Sequence, residues 1–150
     1  MKTSAIRITA VAAALAAVSA GAIALSLSGF KLQPGHSVLK SFQYQGCGGD
    51  WDEESGAPSI WKRQEGGSLV VLTKHAETCG YDRGEKPLAR LVDDKKLILD
   101  YTLDTSSDML AACICQYWAK FELSSSAAQA TLIEVHGQKA TQHDTWPRGR

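Results

Sequence analysis

The sequence predicts an all-β domain, a small antiparallel β-sandwich or barrel held by two disulfides, set behind an apolar N-terminal export helix. Three observations carry this. From residue 38 onward, short runs alternate apolar and polar residues and are broken by Gly, Pro, Asp and Ser clusters. That is the period of half-buried strands. No run after residue 30 keeps a 3.6-residue period for more than two turns. All four cysteines (Cys47, Cys79, Cys113 and Cys115) lie in this part, and an even number outside the cytoplasm reads first as disulfides.

The export segment is residues 1–29. Lys2 and Arg7 are its only charges, followed by the uncharged "ITAVAAALAAVSAGAIALSLSG". A basic start, an apolar run and small residues before a cut are the marks of a cleavable signal peptide, and Val18 and Ala20 place that cut before Gly21. The run continues to Leu27, long enough for an uncleaved inner-membrane anchor. Both readings put the rest of the chain outside the cytoplasm, in the periplasm or an equivalent space, because basic residues stay on the inner side.

Residues 30–37 form a linker with a Pro34-Gly35 turn signal. The β domain follows over residues 38–137. "VLKSFQYQG" (Val38–Gly46) is a strand, and "GGDWDEESGAPS" (Gly48–Ser59) is an acidic loop. "SIWKRQ" (Ser59–Gln64) and "SLVVLTKHA" (Ser68–Ala76) are strands on either side of Gly66-Gly67, and "TCGYDRGEKP" (Thr78–Pro87) reads as turn chemistry. "LARLV", "DDKK" and "LILDYTL" make a hairpin in which Leu97, Leu99, Tyr101 and Leu103 share one face. "AACICQYWAKFEL" (Ala111–Leu123) alternates too. Cys113, Cys115, Tyr117, Ala119, Phe121 and Leu123 are on one face, with Gln116, Trp118, Lys120 and Glu122 on the other. A helix competes here, but the alternation and the aromatic content favour a strand. "TLIEVHG" (Thr131–Gly137) is a further strand, and residues 138–150 have little to bury and are expected to fray.

Cys113 and Cys115, two apart on a strand, sit about 6.6 Å from each other, whereas a disulfide wants Cβ atoms near 3.8 Å. They are therefore expected to reach two different strands, one to Cys47 and one to Cys79. Which goes to which is left open. Each bridge closes a loop of tens of residues and contributes roughly 3–4 kcal/mol.

Composition excludes some functions. Lys+Arg and Asp+Glu number 16 each in 150 residues, so no basic surface for nucleic acid is implied. The carboxylates around Trp51 (Asp50, Asp52, Glu53, Glu54) lack the ligand order of a calcium loop. Ser68, His75 and Glu77 have no motif to make them a triad, and His75 reads as a strand histidine facing solvent. No cofactor is implied, and no enzyme activity is assigned. The best reading is an exported, disulfide-stabilised module that binds another protein, such as an inhibitor, an immunity protein or an envelope-assembly subunit. Trp118 among polar residues is the expected contact residue, with Trp51 and Trp61 beside it. The alternative is a periplasmic copper- or zinc-binding protein using Cys113 and Cys115 with His75 or His136. In that case the thiols are free rather than bridged.

Overall fold

The structure is a computed structural model that describes residues 35–50, 56–106 and 111–150. The export segment and residues 51–55 of the acidic loop, Trp51 among them, lie outside the described residues. Among those described, no helix is long and apolar enough to cross a membrane.

Among the described residues, ten strands form two five-stranded sheets. In chain order they are β1 (His36–Ser37), β2 (Leu39–Asp50), β3 (Ser59–Glu65), β4 (Ser68–Cys79), β5 (Arg83–Val92), β6 (Lys96–Asp104), β7 (Ala111–Ser124), β8 (Leu132–Val135), β9 (Gln138–Lys139) and β10 (Thr141–His143). The first sheet runs β1-β5-β6-β8-β9, and the second runs β10-β3-β4-β7-β2. The chain passes from the first to the second at Val38. Its N–H donates to the Ala89 carbonyl at 3.0 Å, and its own carbonyl accepts from the Ser124 N–H at 2.8 Å. One buried residue thus satisfies a backbone group in each sheet.

The core lies between the sheets and follows the expected alternation. Leu97, Leu99 and Tyr101 of β6 face Ala119, Phe121 and Leu123 of β7, with Leu69 and Val71 from β4 and Leu91 from β5. Phe42 meets Phe121 edge-on, with ring centroids 5.0 Å apart, and lies 5.1 Å from Tyr101. These offset contacts add to the area buried by the rings.

Three departures from the sequence reading shape the architecture, besides the strand pairing of His36–Ser37 in the expected linker and of Gly48–Asp50 in the expected loop. First, residues 78–87 are mostly strand. β4 runs on to Cys79 and β5 begins at Arg83, paired with Asp104, whose carboxylate holds the Arg83 guanidinium at 2.9 Å. Pro87 is tolerated inside β5 because the register shifts there, between Glu85 and Leu88, with Lys86 at φ 50°.

Second, the sheets are not wholly antiparallel. β8 pairs parallel with β6, and β10 pairs parallel with β3. A 3₁₀ turn (Ser125–Gln129) leads the chain out of β7, and β8 then enters the other sheet beside β6. A strand delivered across the sandwich is free to arrive parallel, whereas one joined by a tight hairpin is not.

Third, residues 138–150 do not fray. They add β9 and β10 and then fold over the outer face of the second sheet. Trp146 packs there against Trp61, Leu72 and Trp118, and its indole N–H donates to the Arg150 carbonyl at 2.8 Å. The Arg63 guanidinium lies 3.9 Å from the Trp146 ring centroid and that of Arg150 lies 4.5 Å from Trp118, within cation–π range.

Two outcomes follow from this packing. Phe121→Ala removes a fully buried ring between the sheets and is expected to lower stability by about 3–5 kcal/mol, read from the urea midpoint. Deleting residues 146–150 uncovers Trp61 and Trp118 and should shift the tryptophan emission to the red with the two-sheet fold retained.

Candidate functional site

Both edges of β7 are paired, to β4 and to β2. Its N-terminal third runs beyond the core. Residues 111–114 are exposed, whereas Cys115 onward is buried on the inner face. Strands that bury nothing at their ends gain little from the hydrophobic effect there and would part readily.

Two disulfides close that end. Cys115 is bonded to Cys47 of β2, with Cα atoms 5.8 Å apart, and Cys113 to Cys79 of β4, with Cα atoms 5.4 Å apart. β2 and β4 flank β7 on opposite sides, and register selects between the two pairings left open by the sequence: Cys47 lies opposite Tyr117, next to Cys115, and Cys79 lies opposite Ala111, next to Cys113. The sulfurs are therefore bridged, which removes Cys113 and Cys115 from the copper or zinc site that the sequence offered as its alternative. Among the described residues no group of three or more His, Cys, Asp or Glu side chains is arranged to hold a metal ion. Cys113 also differs from expectation in being exposed rather than turned into the core.

The tryptophans are corrected as well. Trp118 is 7 % exposed and Trp61 8 % exposed. They stack at 5.2 Å, and His143 of β10 stacks on the other side at 4.9 Å. The polar neighbours of Trp118 on β7 suggested an open face, but the tail supplies the cover. Even Gly48 is part of this cover, since a Cβ there would run into the Trp118 indole and the Arg150 guanidinium. Neither tryptophan offers a partner the exposed ring on which its expected role rested. Trp51 lies outside the described residues.

The large exposed apolar side chain near the staples is Ile114, at 50 %. It lies with Thr78, Ala111, Ala112 and Cys113 around a shallow depression of about 180 Å³.

A deeper cleft of about 330 Å³ opens between the sheets beside this end. Its walls include His75 and Glu77 of β4, Tyr81, Tyr101 of β6, His136 of the β8–β9 turn, and Gln138. His75 is not the solvent-facing strand histidine its position suggested. It is 6 % exposed, because β4 places it on the inner face opposite Tyr117. Its Nδ1 pairs with the Tyr101 hydroxyl at 3.4 Å. His136 is not strand-borne either, and sits at φ 50° in the turn. Its Nδ1 meets Asp100 Oδ1 at 2.7 Å, and the same oxygen accepts the Tyr101 N–H at 2.8 Å. The two imidazoles come within 4.3 Å, centroid to centroid.

Burial, and then the neighbouring His136, push the His75 pKa from 6.5 down to about 3. Burial likewise raises the Tyr101 phenol above its usual range, with Tyr44 adding to the effect. The cleft thus holds the His75 imidazole and the Tyr101 phenol neutral at neutral pH. Ser68 is not part of it; its hydroxyl donates to Glu122 at 2.8 Å and accepts from Lys40 at 2.8 Å. No triad forms with His75 and Glu77.

No family model matches the chain, and no curated protein and no solved structure is significantly similar to it.

Two measurements test this region. Replacing Cys79 and Cys113 together by Ser removes a bridge spanning 34 residues and should cost about 3–4 kcal/mol. The effect should be largest as faster amide exchange in residues 76–79 and 111–114. The second concerns pH. The unfolded His75 binds a proton below about pH 6.5, and the folded one only near pH 3. Its contribution to stability is complete above pH 6.5 and falls as the pH drops from 6.5 towards 3, by at most about 1.4 kcal/mol per unit. In EDTA, His75→Leu should flatten that part of the profile; an unchanged slope assigns it to other groups.

Proposed function

We propose that this chain is an exported, disulfide-stabilised β domain that works by binding another protein, and that the stapled end of β2, β4 and β7 is the surface it uses. The carrying observation is that both disulfides tie strands together beside exposed residues 111–114 rather than in the middle of the core. Rigid strands held without burial present a fixed surface, and a preorganised surface loses less entropy on binding.

The chemistry of that surface fits a protein partner. Ile114, Ala111 and Ala112 form an apolar patch, and formal net charge is zero, which gives nucleic acid no electrostatic hold. Bridged cysteines support an oxidising, extracytoplasmic setting. Strand addition along β2 is disfavoured. β2 is an edge, but its register breaks at three places, and Gly46 and Gly49 adopt positive φ. Bulges of this kind keep an edge from accepting another strand. The partner is therefore met by side chains at the end of the sheet. Inhibition, immunity and envelope assembly are the roles that fit an exported module of this size.

A photoreactive residue placed at position 112 of the full chain, expressed in its own host, should give one discrete adduct. Ile114→Glu should abolish that adduct while leaving the thermal midpoint within about 2 °C, since exposed positions carry little stability. Equal labelling from position 94, in the turn between β5 and β6, would sink the assignment of the surface.

A further inference from the structure

The cleft holds a feature that protein binding at Ile114 does not use. Two histidines from opposite sheets have been brought together, and each has its Nδ1 engaged. Asp100 holds His136 at 2.7 Å, and Asp100 is itself held by the Tyr101 N–H. The Tyr101 hydroxyl holds His75. The carboxylate fixes the His136 tautomer. With the proton on Nδ1, donated to Asp100, Nε2 carries a bare lone pair. That Nε2 is buried and has no hydrogen-bond partner among the described residues.

A buried acceptor without a partner costs roughly 1–3 kcal/mol, and such a group calls for an explanation. For His75 the Tyr101 hydroxyl can accept as well as donate, so Nδ1–H can face Tyr101 and leave Nε2 as a second lone pair. An imidazole whose other nitrogen donates to a carboxylate or hydroxyl is the arrangement that orients a metal-ligating histidine. The surroundings suit a cation: Glu77 is on the cleft wall, and no Lys or Arg among the described residues lines it.

We infer that His75 and His136 form a two-histidine site for a late divalent transition metal ion, copper(II) or zinc(II), within the cleft between the sheets. Imidazole nitrogen suits both ions, and copper(II) binds the tighter of the two at a given nitrogen site. Two protein nitrogens leave the other coordination positions to solvent or to an added ligand, so the site is open rather than closed. The cysteines take no part, since both are bridged. This site is independent of the Ile114 surface, and either can fail without the other.

The test is titration of the disulfide-intact full chain, stripped with EDTA and freed of it, with copper(II) and separately with zinc(II), followed by calorimetry and by histidine NMR. One saturable equivalent of each is expected, copper the tighter, with copper broadening the imidazole signals of His75 and His136. His136→Asn should remove this binding; Asn tolerates the positive φ of that position but is too short to replace the ring. Asp100→Asn should weaken it about ten-fold or more through the lost orienting bond, with the fold checked by circular dichroism. His36→Gln with His143→Gln should leave it unchanged. Absence of a saturable equivalent, binding that survives His136→Asn, or binding lost with His36 and His143 would each overturn the site.

Discussion

Everything in this fold depends on β7 being buried on its inner face from Cys115 onward and paired on both edges. Ala119, Phe121 and Leu123 enter the main core, Cys115 and Tyr117 are buried on the same face, and Trp118 on the even face anchors a second, smaller cluster with Trp61 and Leu72. A strand in the middle of a sheet cannot slip by one residue without exchanging its two faces. Here such a slip would also break two covalent bonds, since Cys113 and Cys115 reach β4 and β2 on either side. Register, core and staples therefore enforce one another.

The same strand divides the molecule by function. Towards its C-terminal end the sheets are packed on each other and the chain crosses between them at Val38 and through the 3₁₀ turn. Towards its N-terminal end the sheets part. Tyr44, Tyr81 and Tyr117 fill some of the gap, with the Tyr117 hydroxyl accepting from the Tyr81 N–H and donating to the Thr78 carbonyl. Gly84 lacks the Cβ that would strike the Tyr44 and Tyr101 rings. What is left is the histidine cleft. Polar side chains can be kept there because they answer one another: Asp100 to His136, and Tyr101 to His75. The cost of the arrangement is the His75 ring held neutral by burial and the His136 Nε2 left without a partner. Both sit where the sandwich packing ends and the cleft opens.

The proposed partner surface and the proposed metal site lie at the same end but on different chemistry. One is apolar and built on strand ends that the staples keep ordered. The other is a polar cleft between the sheets, framed by side chains from both. Neither uses the tryptophans, which the tail has turned into internal packing.

How much of this the sequence determined can be read strand by strand. Alternation alone placed β3, β4, β6 and β7, assigned the inward faces of β6 and β7, and excluded a bond between Cys113 and Cys115, because a local period records which face a residue takes. Three matters needed the tertiary structure. The pairing of Cys115 with Cys47 and Cys113 with Cys79 depends on the register of β2 and β4 against β7, and register between strands distant in sequence is not a local property. The fates of Trp118 and of residues 138–150 were coupled. The ring looked open because the tail looked unstructured, and the tail looked unstructured because nothing in it marks the ring it covers. The meeting of His75 and His136 joins positions 61 residues apart in the sequence, one in each half of the sandwich. No spacing or composition encodes such a contact; it exists only once two sheets close on a common core.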